Sequence, residues 1–274
     1  MIRLGRLRHI GLRTRAAIDA RMHPPGGEPA CNICGCKLRG EEALWSQREV
    51  PSCHVCKSTL RFRSLMAALQ LRLHDRPEVA LAGVAPDKGI TGLGMSDASV
   101  YSYWLERKFS YRNTFFHTRP YLDIRNPGSH YLAANDFVIS SDVLEHVNAP
   151  LDRVFANLHA LLRPGGALVF TVPYTLDGQT TEHFPGLHDF EIIGRKSSRQ
   201  LINRDKDGRE TVYSDLCFHG GDGATLELRI FSLPDLLSHL QRAGFKDVRI
   251  HSQDYPEWGI VHADKLGAPI SAIA

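Results

Sequence analysis

Residues 136–147, DFVISSDVLEHV, are the stretch that decides the fold. The first five form a short apolar run bounded by polar residues, which predicts a buried strand over residues 136–140. A second run, residues 167–172 (ALVFTV), follows a helical pattern over 151–162 that Arg163-Pro164-Gly165-Gly166 stops. Two buried strands joined by a helix predict neighbours in a parallel sheet.

Helix and strand alternate on both sides of this stretch. Helical periodicity covers residues 60–73, 99–109, 151–162 and 232–244, and Ser232 caps the last helix with Pro234 in its first turn. A strand that ends in a turn is predicted near residues 89–94, and further strands at 113–116, 121–124, 246–251 and 259–262. This order predicts an α/β fold with a doubly wound, mostly parallel seven-stranded sheet.

Residues 175–228 do not fit the alternation. They are rich in His, Asp, Gly and charged residues and lie between a buried strand and the next helix. A long irregular segment inside a compact domain is usually functional. We therefore expect a substrate-side insertion here.

A glycine-containing turn, Gly92-Leu93-Gly94-Met95-Ser96, is predicted to follow a strand and to lead into a helix. Small residues at such a turn let the backbone approach a nucleotide-like ligand. The third glycine of a dinucleotide fingerprint would fall at Asp97, which argues against a nicotinamide oxidoreductase.

Taken together, residues 136–147 and 161–170 resemble the motifs of two adjacent strands of class I S-adenosylmethionine-dependent methyltransferases. Residues 231–245 resemble the helix and turn before the last two strands of that family, and the resemblance covers about residues 86–264. The chain is also similar to a bacterial subgroup with an N-terminal zinc-ribbon module. The resemblance implies a Rossmann-like methyltransferase fold, S-adenosylmethionine as cofactor, and a glycan or small metabolite as acceptor.

The same resemblance implies the cofactor contacts. Gly92 and Gly94 would face the methionine and ribose of the cofactor, Asp142 and Val143 would form the floor of the site, and Asp123 would lie near the adenine.

Two acids usual in the family are missing. Ile90 stands two positions before the first glycine, where an acid is usual, and residues 115–117 hold no carboxylate where the second strand should end. The resemblance leaves His117 or Asp97 as the substitute for the acid that binds the ribose hydroxyls.

Methyl transfer mainly requires alignment of the nucleophile with the methyl group, but an oxygen or amine nucleophile can also need a base. His183 and His188 are the expected bases because they lie in the insertion beside the predicted site, and His146 is a further candidate. The alternatives are surface polar residues for His183 and His188, and a local helix-start contact for His146.

Five of the six cysteines lie between residues 31 and 56. The spacing Cys31-x2-Cys34 and Cys53-x2-Cys56 is typical of a four-thiolate structural zinc ribbon, in which four protein ligands leave no open position. A Cys3His variant with His54 is the alternative. The predicted domains are an arm and linker (1–28), a zinc ribbon (29–64) and a methyltransferase domain (65–274).

Charge is unevenly distributed along the chain. Residues 1–22 carry six arginines and one aspartate, while the whole chain has a net charge of +3. The near-neutral body argues against nucleic acid as a partner. The arm can lie weakly on membrane headgroups as a basic amphipathic helix, or remain a solvated or frayed terminus.

The first thirty residues hold no signal-peptide-like apolar stretch, so we expect a cytoplasmic enzyme of undetermined oligomeric state. A different class of function stays open: a non-catalytic zinc-ribbon and degenerate Rossmann-like module that binds nucleic acid or protein.

Overall fold

The structure is a computed structural model that describes residues 28–39, 42–74, 79–148, 150–195, 198–219, 225–263 and 266–274. The predicted arm and linker, residues 1–28, lie outside the described residues apart from Glu28. Within these ranges no helix combines the length and the apolar character needed to cross a bilayer.

The described residues form five α-helices and fourteen strands. The helices are α1 (Glu42–Trp45), α2 (Leu60–His74), α3 (Ser99–Lys108), α4 (Leu151–Ala160) and α5 (Leu233–Arg242). The strands are β1 (Thr91–Met95), β2 (Ser110–Thr114), β3 (Asn135–Ser141), β4 (Leu162–Thr171), β5 (Tyr174–Thr175), β6 (Thr181–Glu182), β7 (Asp189–Ile193), β8 (Gln200–Arg204), β9 (Glu210–Tyr213), β10 (Phe218–His219), β11 (Thr225–Leu226), β12 (Arg229–Ser232), β13 (Lys246–Ile250) and β14 (Ile270–Ile273).

Six strands form the main sheet of the described chain, in the order β13-β14-β4-β3-β1-β2. Strands β2, β1, β3 and β4 are parallel, and β14 runs antiparallel between β4 and β13. The α/β class and the mostly parallel sheet are therefore confirmed. The four predicted long helices are also confirmed, and Ser232 caps α5 by accepting a hydrogen bond from the Asp235 backbone.

Two strand predictions differ from the structure. The main sheet has six strands in the described residues, not seven, because residues 121–124 contribute only an isolated parallel bridge between Tyr121 and Phe115. The edge hairpin pairs β13 with β14, not with residues 259–262, where Ile260 forms a bridge to Tyr255. The strand that pairs with β13, β14, therefore lies later in the chain than the strand predicted at residues 259–262.

The predicted insertion is more regular than its sequence indicated. It contains a three-stranded antiparallel sheet β7-β8-β9, a short β10-β11 pair, and β5 and β6 on either side of β12. A small core of Phe184, Leu201, Leu226 and Leu228 stabilises it. Strands such as β7 are largely exposed on both faces, so their residues lack the apolar alternation that identifies a strand.

Two buried clusters cover the two faces of the main sheet. One contains residues of α4 and α5, and the other joins α3 and α2 to the cysteine-rich N-terminal segment. Helix α2 crosses the predicted domain boundary at residue 64, and Leu65, Met66 and Leu69 are buried together with Cys31 and Cys53. The N-terminal segment thus packs directly onto the sheet.

Gly92 and Gly94 lie inside β1, not in a turn after it. A Cβ atom on Gly92 would meet the ring of Phe137 at 2.1 Å, and one on Gly94 would meet the Tyr111 hydroxyl at 1.9 Å. Both glycines therefore make room for aromatic side chains of the neighbouring strands β3 and β2.

We expect Gly92→Ala to lower the free energy of unfolding by about 1–3 kcal/mol, because the rigid Phe137 ring has to move out of a filled core. Urea denaturation of the purified variant measures this change. In a double-mutant cycle with Phe137→Leu, the Gly92→Ala loss should shrink. An equal loss in both backgrounds would contradict the packing explanation.

Candidate active site

A cavity of about 980 Å³ opens at the carboxyl ends of the central parallel strands. Its wall includes Met95 at the end of β1 with Ser96 after it, Thr114 at the end of β2, and Ser141 at the end of β3. The chain runs outward from β1 to β2 and then returns to β3 on the other side of β1. The cavity therefore lies at a switch point of the sheet, where open α/β folds bind ligands.

The end of β1 borders the cavity through Met95 and Ser96. Ser96 has a positive φ of 57°, and its N–H donates to the Thr114 carbonyl at 2.7 Å, so the chain turns sharply there. Gly92 and Gly94 do not border the cavity, in contrast to the contacts expected for them, because they lie earlier in β1 against aromatic rings.

Asp97 is likewise directed away from the cavity, into the core. Its carboxylate accepts hydrogen bonds from the hydroxyls of Tyr101, at 2.8 Å, and of Tyr111. Burial raises the pKa of Asp97 to about 7, although the hydrogen bonds from Tyr111 and Tyr101 act to lower it. Asp97 therefore organises the turn after β1, and it does not border the cavity in which the ribose contact was expected.

His117 and Asp123 both border the cavity beyond the end of β2. His117 is exposed, whereas the Asp123 carboxylate is paired with Arg125, with an Nη2–Oδ2 distance of 2.8 Å. The hydrogen bond from Arg125 lowers the pKa of Asp123, so this group is an anion with a partner already in place.

Asp142 and Val143 border the cavity directly after β3, and Asp142 is bound by two arginines. Arg48 donates two hydrogen bonds to its carboxylate, at 2.8 and 2.9 Å, and Arg61 Nε lies 3.2 Å from it. Burial would raise the pKa of Asp142, but Arg48 and Arg61 outweigh it and hold the pKa below its usual value. Glu49, which also borders the cavity, pairs with Arg61 at 2.8 Å.

Arg48 and Arg61 are cavity residues that no sequence pattern predicted. They come from the cysteine-rich segment and from the first turn of α2, about 80–95 positions before their partners Ser141 and Asp142. No local signal identifies such a contact, since an arginine in a basic stretch is usually a solvated surface residue.

Histidines and buried carboxylates form a connected group on the insertion side of the cavity. His146 and His219 border the cavity, and each has a ring nitrogen 3.7 Å from Oε1 of Glu145. Glu227 joins His219, at 2.6 Å, to His183, at 2.8 Å. The structure thus connects two of the three predicted histidines, and adds His219, Glu145 and Glu227, which the sequence analysis did not select.

His188 is not part of this group. It lies just before β7, where its backbone N–H donates to the Asn203 side chain at 2.8 Å, and it does not border the cavity. His183 also stays behind the cavity wall and reaches it through Glu227 and His219.

The four predicted cysteine ligands come together in one cluster that could hold a metal ion. The Sγ atoms of Cys31, Cys34, Cys53 and Cys56 all lie within 4.8 Å of one another. Cys31–Cys56 and Cys34–Cys53 are each separated by 3.7 Å. His54, the alternative ligand, is exposed and outside the cluster.

The two halves of the cluster have the same backbone geometry. The N–H of Gly35 donates to the Cys31 carbonyl at 2.8 Å, and that of Lys57 to the Cys53 carbonyl at 2.9 Å. Both residues have positive φ, 77° and 62°. Each Cys-x-x-Cys pair therefore forms a tight knuckle that turns both thiols to the same side.

Residues 90–250 match the family model described as "Methyltransferase domain". This match covers more than half of the chain and contains most of the main sheet and of the cavity wall. The chain belongs to this methyltransferase family. No curated protein matches the sequence.

The chain is also similar to solved methyltransferase structures at low sequence identity. The chain is 17% identical to 1,6-didemethyltoxoflavin-N1-methyltransferase of Burkholderia thailandensis, solved with 1,6-didemethyltoxoflavin and S-adenosylhomocysteine, with 78% and 77% of the two chains covered and a TM-score of 0.43. It is 14% identical to an S-adenosylmethionine-dependent methyltransferase of Mesorhizobium loti, with coverage of 80% and 100% and a TM-score of 0.41.

The raised pKa of Asp97 predicts a pH-dependent stability. The folded protein keeps a proton on Asp97 that the unfolded chain releases, so this stabilisation is lost as the pH rises from the unfolded value of 3.8 to about 7. Asp97→Asn should remove this component, which urea denaturation at a series of pH values measures. The exposed Asp207→Asn is the matched control and should follow the wild type. An unchanged slope in Asp97→Asn would contradict the assignment.

Proposed function

We propose that this chain is an S-adenosylmethionine-dependent methyltransferase that acts on a small-molecule or glycan acceptor. The observation that carries the proposal is the methyltransferase family match over residues 90–250, which contain most of the wall of the cavity. A cavity of about 980 Å³ is within the roughly 300–1,000 Å³ typical of cofactor and ligand sites.

Residues at the carboxyl end of β1 and just after β3 would hold the cofactor. Ser96 and Met95 offer a sharp backbone turn, and Val143 offers an apolar wall. The cofactor supplies an electrophilic methyl group on a sulfonium, whose departure as a thioether needs no acid. The protein's own task is to align the acceptor atom with that methyl group, which can contribute roughly 7–11 kcal/mol.

Arginine pairing limits which residues can contact the ribose. Within the described residues, each carboxylate on the cavity wall (Glu49, Asp123 and Asp142) already pairs with arginine. We therefore keep His117, which follows β2 where the family usually has an acid, as the proposed ribose contact. The role of Asp123 beside the adenine also stays a proposal, with Arg125 as its partner.

The acceptor would lie on the insertion side of the cavity, against His146 and His219. A proton leaving an acceptor hydroxyl or amine would go to this side, and general-base assistance is worth about 10²–10⁴-fold. His183 would act indirectly, by holding Glu227 against His219. His188 does not border the cavity, so the structure offers no support for His188 as a base.

We further propose that Cys31, Cys34, Cys53 and Cys56 bind a structural zinc ion. Zn–S bonds of about 2.3 Å in a tetrahedron separate the sulfurs by about 3.8 Å, and two of the observed separations are 3.7 Å. The ion would lock the ribbon that positions Arg48 and Arg61 at the cavity. The division into ribbon and methyltransferase domain at residue 64, and a cytoplasmic location, are also proposals.

Wild-type protein should contain one zinc per chain. Cys53→Ser should lose the zinc and a large part of the folding stability, because the cysteines are buried in the cluster that packs against the main sheet. Metal analysis and thermal unfolding measure both effects. His54→Ala and the exposed Cys217→Ser are controls that should keep the zinc. Zinc loss in His54→Ala would favour the Cys3His alternative.

Isothermal titration of the zinc-retaining protein should show one S-adenosylmethionine bound per chain. Val143→Trp fills the cavity beside Asp142 and should weaken binding at least tenfold, about 1.4 kcal/mol. Val212→Trp, the same change at an exposed position of β9, should bind like the wild type.

Absence of binding in the wild type would favour the non-catalytic module over the enzyme. Transfer itself is tested by a mass-shift screen of candidate acceptors with a labelled cofactor. Hydroxyl-bearing metabolites and glycans form the first set, because the histidine side of the cavity can accept their proton.

A further inference from the structure

We propose that Glu145, His146 and His219 bind a divalent transition-metal ion at the acceptor side of the cavity. One ligand atom from each residue lies within 4.8 Å of the others. Oε1 of Glu145 is 3.7 Å from Nε2 of His146 and 3.7 Å from Nδ1 of His219. This group is separate from the cysteine cluster, and it combines two imidazoles with one carboxylate.

Glu145 carries the first line of support. Its side chain is fully buried, and neither carboxylate oxygen has a hydrogen-bond partner among the described residues. In that part of the chain, no lysine or arginine nitrogen lies within 4.0 Å of it either, and the two imidazole nitrogens are too far for hydrogen bonds. A buried carboxylate without a partner is strongly unfavourable, and a bound cation removes that penalty.

The orientation of the two imidazoles is the second line of support. Nδ1 of His146 lies 2.7 Å from the Leu226 carbonyl, which can only accept, so Nδ1 carries the hydrogen and the Nε2 lone pair faces Glu145. Nε2 of His219 lies 2.6 Å from Glu227, which leaves Nδ1 directed at Glu145. A carbonyl or carboxylate behind each imidazole is the usual support of a metal-binding histidine.

The separations suit coordination better than direct contact. Two ligand atoms that bind one ion at about 2.1 Å, with an angle of about 120°, lie about 3.6 Å apart. Both observed separations are 3.7 Å. Two imidazoles and one carboxylate favour ions of the Mn²⁺ to Zn²⁺ series over Ca²⁺ or Mg²⁺.

The loop geometry explains how these residues meet. Glu145 and His146 lie in one turn of 3-10 helix, Leu144–His146, just after β3. The insertion returns over this turn, where the Leu228 N–H donates to the Glu145 carbonyl at 2.9 Å. Arg229 donates to the Leu144 carbonyl at 3.2 Å. The insertion therefore brings His219 to a turn that precedes it by more than 70 residues.

Three protein ligands leave positions open for an acceptor hydroxyl, which sharpens the acceptor class to oxygen nucleophiles. With the ion bound, His146 and His219 would be ligands and no longer bases; the ion would instead lower the pKa of that hydroxyl, and its proton would leave to solvent. The oxygen then forms the bond to the methyl carbon while the carbon–sulfur bond breaks and sulfur keeps the electron pair. This chemical role rests on the proposed function, whereas ion binding does not.

Mn²⁺ is the probe, because it binds such sites less tightly than Zn²⁺ and should not displace zinc from thiolates. Titration of the zinc-retaining protein, followed by the electron paramagnetic resonance signal of free Mn²⁺, should show one bound ion. Glu145→Gln and the less buried His219→Asn should each weaken binding more than tenfold. Glu227→Gln should weaken it about 10–100-fold through the imidazole that it supports.

Two control variants should keep wild-type Mn²⁺ affinity. Cys217→Ser tests the neighbouring group of Cys217, His219 and Glu227, which could also hold an ion. The exposed His130→Ala removes a histidine that belongs neither to the group of Glu145, His146 and His219 nor to the cavity wall. Near-ultraviolet circular dichroism checks that each variant keeps its fold.

No Mn²⁺ binding by the wild type, equal binding by folded Glu145→Gln, or loss in Cys217→Ser would overturn the site. The two proposals fail separately. Mn²⁺ binding without any cofactor binding would leave the ion site standing and remove the methyltransferase function, and cofactor binding without Mn²⁺ binding would do the reverse.

Discussion

The pairing of Asp142 with Arg48 and Arg61 is the interaction on which the architecture of the site depends. Asp142 directly follows the central strand β3 and has a positive φ of 50°, and both arginines belong to the N-terminal part of the chain. A largely buried ion pair of this kind adds little net stability, but loss of Asp142 would leave Arg48 and Arg61 with Glu49 as their shared carboxylate. The interaction therefore specifies how the cysteine-rich segment sits on the sheet.

Two segments outside the main sheet contribute side chains to the cavity wall. The cysteine-rich segment supplies Arg48 and Glu49, and the insertion supplies Phe190, Phe218 and His219. The sheet itself contributes only strand ends and the turns after them. The wall of the cavity therefore combines strand ends of the sheet with side chains from two segments that lie far apart in the sequence.

Local sequence signals predicted those parts whose chemistry is local. The buried strands over residues 136–140 and 167–172, the Ser232 cap and the cysteine knuckles each depend on neighbours a few positions away, and all have the expected form in the structure. The prediction of a turn at Gly92 and Gly94 is wrong, because a glycine inside a strand and a glycine in a turn look alike in sequence. Only Phe137 and Tyr111, on adjacent strands, decide between them.

The sequence by itself determined the α/β class, the resemblance to methyltransferases and the four cysteines that can share one ion. Apolar periodicity and the spacing of metal ligands are properties of short segments, so they can be recognised before the fold is known. The tertiary structure alone decided that Asp142 meets Arg48, that His183 reaches the cavity only through Glu227 and His219, and that Glu145 is buried between two imidazoles. These contacts join residues separated by tens of positions. Their electrostatic interactions become strong only when burial removes water from around the charges.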